Sequence, residues 1–328
     1  MTSVLAVGIF LTVAFFYGQR EQHQKADSQP TVGILQLVSH PALDQIHQGT
    51  VDGLAEAGFV DGENIHIDFQ NAQATQSNLQ TMSEKFMTEN AKVTVGIATP
   101  AALALTHASH ATTPIILGGV TNPSGSGLVA SNARPGANVT GVAGDSPVTQ
   151  QLDLMTELCP QAKTVGIIYT SSDNGGDFNA KQMAKAISAK GLTPKIYTIA
   201  TTNDMQQIAE TMSQQVDMIY APQDNGVASA MQTLVNVTRG NHIPVFPAVD
   251  TMVTDGGIAT YSVNQYAVGK ATGKMAAAVL NGRKPDTFPV ETLTKGELII
   301  NQKAADACDV TIPAHLKTEA KTKGTYLP

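Results

Sequence analysis

The chain has 328 residues, 42% of them hydrophobic, which is enough for two domains of ordinary size. Its formal charge is −7 and it holds no basic cluster, so nucleic acid is not an expected partner: a phosphate backbone demands a concentrated cationic footprint. Cys159 and Cys308 are the only cysteines. No Cys/His spacing suits a metal, so neither metal nor cofactor is expected. The two thiols are read as free, with a disulfide in an oxidising compartment left open.

An apolar run over residues 4–17 comes first, followed by Arg20 and Lys25. It is shorter than the roughly 17 to 25 residues of a spanning helix, and no cysteine follows to accept lipid. Residues 1–30 are therefore read as an export signal or uncleaved anchor with a polar tether.

Thr31-Val32-Gly33-Ile34-Leu35 is a short apolar run of the kind that forms a buried strand. Leu43, Ile46, Val51, Leu54 and Ala57 then lie along one face of a helix that Gly58 stops. Ile65 to Phe69 alternates as a second strand. The same sequence of features recurs from Thr164, at an offset of 133: Thr164-Val165-Gly166-Ile167, a helical run to Lys190, Gly191, and a strand over 195–199. Further strands are predicted over 93–97, 113–117 and 139–142 in the first half. Their counterparts in the second half run over 216–221, 243–246 and 257–261. A helix over 264–280, late strands at 289–292 and 298–301, and a polar tail with a helix or two complete the chain. Strands alternating with helices in each half predict an α/β fold of two doubly wound parallel-sheet lobes joined by a three-stranded hinge. Lobe 1 is assigned residues 31–142 plus 264–288, and lobe 2 residues 143–263 plus 289–328. The hinge strands are placed near Val142, Ser262 and Pro289.

Ligands of open α/β sheets bind beyond the carboxyl ends of the strands. Gln36, Ser39, His40, Gln70, Asn71, Thr99, Pro100, Thr121 and Asn122 stand there in the first half. In the second half the corresponding residues are Tyr169, Ser171, Ser172, Asp173, Gln223, Asp224, Asn225, Asp250 and Thr251, with Asn264 near the hinge. No lysine or arginine is among them to favour a phosphate, and Gly125-Ser126-Gly127 lacks the third glycine of a dinucleotide cradle, so a dinucleotide site is not expected. Carboxylates and helix N-termini suit a zwitterion. Asp224 or Asp250 would take an ammonium, and the backbone and hydroxyls near Thr99 or Ser171 and Ser172 a carboxylate.

Catalysis is not expected. Ser146 lacks the glycine that follows a hydrolase nucleophile, His107 and His110 have no accompanying glutamate motif, and His40 has no partner nucleophile.

Several stretches are similar to a known family: Gly33-Ile34-Leu35-Gln36, His40-Pro41-Ala42-Leu43-Asp44, Asp52-Gly53-Leu54, Asn71-Ala72-Gln73 and Ala98-Thr99-Pro100-Ala101-Ala102. Residues 136–142, Asp224-Asn225 and Ile243-Pro244-Val245-Phe246 add to them. Together they resemble ABC-transporter solute-binding proteins of the tryptophan/tyrosine (TrpX-like) type, which have the type I periplasmic-binding-protein fold. Ser39, Asn122 and Gln223 depart from that pattern, where an acidic residue, Asp and Thr respectively are common. The resemblance implies an extracytoplasmic, surface-tethered monomer that binds an aromatic amino acid between its lobes and passes it to a permease driven by an ATPase. The ligand-sensing domain of a signalling system, or a binder of another small polar metabolite, is the alternative.

Overall fold

The computed structural model describes residues 29–109, 111–293 and 296–328. All but the last two residues of the expected N-terminal signal or anchor, and His110, lie outside the described residues.

The first sheet grows around β1 (Thr31–Gln36), which is buried along almost its whole length. Burial of both faces explains why this strand reads as a continuous apolar run. Helix α1 (Pro41–Glu56) follows, with proline in its first turn, and then β2 (His66–Asn71). Helix α2 (Gln76–Thr88), β3 (Val93–Ile97), α3 (Thr99–Ser109), β4 (Ile115–Val120) and β5 (Val139–Ala143) continue the lobe. The strands lie in the order β2-β1-β3-β4-β5, and every pairing is parallel.

The second sheet repeats the plan. After α4 (Val148–Leu158) come β6 (Thr164–Thr170), α5 (Asn174–Ala189), β7 (Thr193–Ile199), α6 (Met205–Ser213) and β8 (Met218–Ala221). The helical stretch that comes next is two pieces, α7 (Asn225–Ser229) and α8 (Met231–Arg239), and β9 (Val245–Pro247) follows. The order is β7-β6-β8-β9, again parallel. The repeated Thr-Val-Gly-Ile quartet has a packing reason in both lobes. A Cβ on Gly33 would lie 2.7 Å from the Phe86 ring, and one on Gly166 2.8 Å from Met212 Cε. In each lobe the helix after the second strand covers the first strand at this point, and only glycine leaves the room.

The remaining elements tie the lobes together. After α9 (Asp250–Thr254), β10 (Ala259–Ser262) leads out of the second lobe into α10 (Gln265–Leu280). Helix α10 packs on α1 with the backbones nearly touching: a Cβ on Gly269 would stand 2.2 Å from the Ile46 carbonyl oxygen, and one on Gly49 2.3 Å from that of Tyr266. The short β11 (Glu291–Thr292) pairs with β5 in the first sheet. The third crossing thus follows residue 292, whereas the sequence reading placed it before Pro289. β12 (Glu297–Asn301), α11 (Gln302–Ala307), α12 (Ala314–Lys323) and β13 (Thr325–Leu327) finish the second lobe.

β12 runs antiparallel to β10, a departure from an all-parallel reading of this lobe. The direction of the crossings explains it. β10 carries the chain out of lobe 2 and β12 brings it back, so the two must point opposite ways. β5 and β11 both leave lobe 1, and they are parallel. Two separate hydrophobic clusters result, one centred on Ile34, Val95 and Leu117 and the other on Ile167, Ile219 and Tyr220.

Candidate functional site

A cavity lies between the lobes. Lobe 1 supplies Ala42 and Leu43 from the start of α1, Ala98 and Thr99 from the start of α3, and Gly119 and Thr121 from the end of β4. Lobe 2 supplies Asp173 and Gly175, Gln223 to Asn225, Ala228, Val249 and Met252. Gln265, the first residue of α10, closes it near the second crossing. Strand ends and helix starts meet here from both sheets, as doubly wound topology requires.

The polar end is built by two carboxylates. Asp173 caps α5: its Oδ1 accepts from the Gly175 and Gly176 N–H groups at 2.9 and 3.0 Å. Its Oδ2 accepts from the Asn225 backbone at 3.1 Å and from Asn225 Nδ2 at 2.7 Å. All four acceptor sites of Asp173 are thereby occupied. Asp224 caps α7 through Oδ1, which accepts from Val227 N–H at 2.8 Å and from Thr170 Oγ1 at 2.6 Å. Its Oδ2 accepts only from Thr170 N–H, at 2.8 Å. One lone pair of Asp224 is left over, in a side chain that is 2% exposed. Burial, followed by the neighbouring charge of Asp173, pushes the Asp224 carboxyl up to about 7, against the pull of its three donors. A buried anion beside a second anion lacks a counter-charge.

The other walls differ in character. Ala42, Leu43, Ala98, Ala228, Val249 and Met252 make them apolar. Thr99 and Thr121 bring hydroxyls from lobe 1, and Thr99 opens the eleven-residue α3. A side-chain hydrogen bond spans the lobes, His40 Nε2 to Asn225 Oδ1 at 3.2 Å, and the Asp250 carboxylate accepts from the Gln265 N–H near the second crossing. Ala42 reinforces the His40 bond, since it belongs to lobe 1 yet packs in the hydrophobic cluster of lobe 2.

Of the residues expected to bind, Thr99, Thr121, Gln223, Asp224 and Asn225 come together around the cavity, with His40 bonded to Asn225. The others lie outside its lining, and most have a local partner. Gln36 Nε2 donates to Val38 O and Asp44 Oδ1 at 2.9 and 2.7 Å, and Ser39 Oγ donates to Asp44. Asn71 accepts from Gln73 N–H, and Asn122 from Gly125 N–H. Pro100 serves the first turn of α3. Half-buried Tyr169 bonds Asp177, while Ser171 and Ser172 are exposed. Asp250 accepts from Thr251 N–H at 2.9 Å, and burial pushes its carboxyl up to about 6. Thr251 is buried in α9. Asn264 caps α10 by accepting from Ala267 N–H at 2.9 Å.

Capping and turn chemistry thus absorbs most strand-end polar residues. The apolar lining and Gln265 had no distinguishing mark in the sequence. Asp173 stood among the strand-end residues, and the glycine pair after it was the sign of a cap pressed against a second carboxylate.

The matched family model is that of the ABC transporter substrate binding protein, over residues 31–323. This chain belongs to that family. The substrate-binding protein is 32% identical over 291 residues to a tyrosine-binding protein of Clostridioides difficile, covering 88% of this chain and 84% of the relative. Its structure superposes on an ABC domain from Streptococcus pneumonia in complex with L-Trp with a TM-score of 0.87. The identity is 36%, with 92% of this chain and 100% of that one covered. Against the ligand-free, open structure of a substrate binding protein from Clostridium difficile the TM-score is 0.70 at 33% identity, covering 91% and 99%. At nearly equal identity, the lobes of this substrate-binding protein stand closer to the arrangement of the ligand complex.

Proposed function

We propose that this substrate-binding protein captures an aromatic amino acid, tyrosine or tryptophan, between its lobes and delivers it unchanged to an ABC permease and its ATPase. The observation that carries the reading is the interlobe cavity with a buried carboxylate lacking a counter-charge at one end and apolar walls elsewhere. The ligands named for the two similar proteins, tyrosine and L-Trp, agree with it. The ammonium bonds the free lone pair of Asp224 in lobe 2. The carboxylate faces lobe 1, where the start of α3 and the hydroxyls of Thr99 and Thr121 favour negative charge. A zwitterion held this way bridges the lobes, so it binds the closed form better than the open one and shifts the population toward it.

The bodies that move are residues 31–143 with 265–292, and 148–262 with 297–328, turning about the three crossings. The apolar N-terminal run tethers the receptor, as a monomer, to the outer face of the membrane. Calorimetric titration with a panel of amino acids tests the function. Binding of tyrosine or tryptophan is expected, and absence of heat with every aromatic amino acid refutes the ligand class.

A further inference from the structure

The His40 side chain of lobe 1 bonds a side chain of lobe 2, and its chemistry is constrained from both sides. Asn225 Nδ2 donates to Asp173 Oδ2, so the Asn225 amide is oriented and its Oδ1 faces the imidazole. An amide oxygen only accepts, so the proton of neutral His40 must sit on Nε2. Nδ1 then carries a lone pair, buried and without a hydrogen-bond partner among the described residues. The ring is 7% exposed. A second proton would therefore place an N–H without an acceptor among the described residues, and a charge on a buried ring.

We propose that His40 is a proton-sensitive bolt on lobe closure: neutral, it donates to Asn225 across the cleft, and when protonated it drives the lobes apart. The proposal deepens the receptor function above and rests on it for the ligand. Titration agrees with the geometry. Burial lowers the ring from its ordinary value of 6.5, outweighing the hydrogen bond donated to Asn225 and the attraction of Asp44 and Asp173, which raise it. Opening removes the cover and the Asn225 bond and returns the ring to water, where it titrates normally. The closed form therefore holds fewer protons than the open form. Its advantage is complete above the ordinary value and is lost as pH falls below it, by about tenfold per unit until the lowered value is passed.

Two carboxylates act on the ring, Asp44 from α1 and Asp173 from lobe 2, and Asp224 lies beside Asp173. Asp224 meets the ligand ammonium and adds an acid sensitivity of its own, which is independent of residue 40. The variant His40→Gln separates the two, because its Nε2 can donate to Asn225 but does not titrate.

The experiment measures tyrosine and tryptophan affinity by calorimetry from pH 8 to pH 5, in wild type, His40→Gln and His40→Ala. Small-angle scattering of the ligand-free proteins accompanies it at the same pH values. Expected are an affinity for His40→Ala at pH 8 that is tenfold or more below that of His40→Gln, and a fall with acid that is steeper by up to about tenfold per unit in wild type than in His40→Gln. Identical pH profiles for wild type and His40→Gln overturn the bolt. If neither amino acid binds any protein at any pH, the ligand assignment fails, and scattering decides the bolt alone. Acid expansion of wild type but not of His40→Gln then supports it, and equal behaviour of the two overturns it.

Discussion

Replacing Asp224 with Asn removes one charge with little change of shape. Three donors converge on the native carboxylate: Val227 N–H, Thr170 N–H and Thr170 Oγ1. An Asn whose oxygen serves Val227 and Thr170 Oγ1 must turn its NH₂ toward the Thr170 N–H, stranding one buried donor. That costs about 1–3 kcal/mol of stability. The larger effect falls on the ligand. Removing one partner from a buried ion pair costs about 3–5 kcal/mol, so tyrosine or tryptophan should bind roughly a hundred- to a few-thousand-fold more weakly. Calorimetric titration measures the affinity, and thermal denaturation establishes that the variant is folded. An affinity within about threefold of wild type in a folded variant would refute the reasoning. The ammonium would then have to bond another acceptor of the cleft.

Ala42→Glu should leave the melting temperature nearly unchanged while weakening ligand binding at least about tenfold, because the carboxylate would have to be buried against lobe 2 each time the cleft closes. Calorimetry and denaturation together check this. Gln151→Leu should destabilise by about 3–4 kcal/mol in urea unfolding, since its side chain bonds the Tyr220 hydroxyl and the Ala248 and Tyr261 carbonyls within lobe 2. Adding Tyr220→Phe should recover part of that loss, because a hydroxyl with no acceptor is then gone. Gly269→Ala should cost about 2–3 kcal/mol, also by urea unfolding, because the new methyl meets the Ile46 carbonyl and the Gly49 backbone.

The duplicated quartet, the terminating glycines and the spacing of apolar residues made both sheets legible, because each reports a local rule of burial or backbone geometry. β3 falls on the residues expected for it, 93–97. Long-range pairing was less accessible. Nothing local told Glu291 and Thr292 to join the first sheet, or Thr325–Leu327 to form a last strand beside β12 in a stretch that reads as polar tail. The site was legible only as a neighbourhood. Asn264, Asp250 and Asp224 are all polar residues opening a helix, and each engages a backbone N–H of that helix. What distinguishes Asp224 is a second carboxylate 51 positions earlier in the chain and a lone pair left over after capping. Apolar walls made by Val249 and Met252 look, in sequence, like any other buried residues.

The contact between α1 and α10 bears on the order in which the protein can be made. The groove of α1 that receives Gly269 and Gly273 is translated early, yet its occupant begins at Gln265, after the main part of the other lobe. A nascent chain therefore holds an unfinished amino-terminal half until the middle of the sequence has emerged. Any factor that guards it against aggregation has to act over that whole interval.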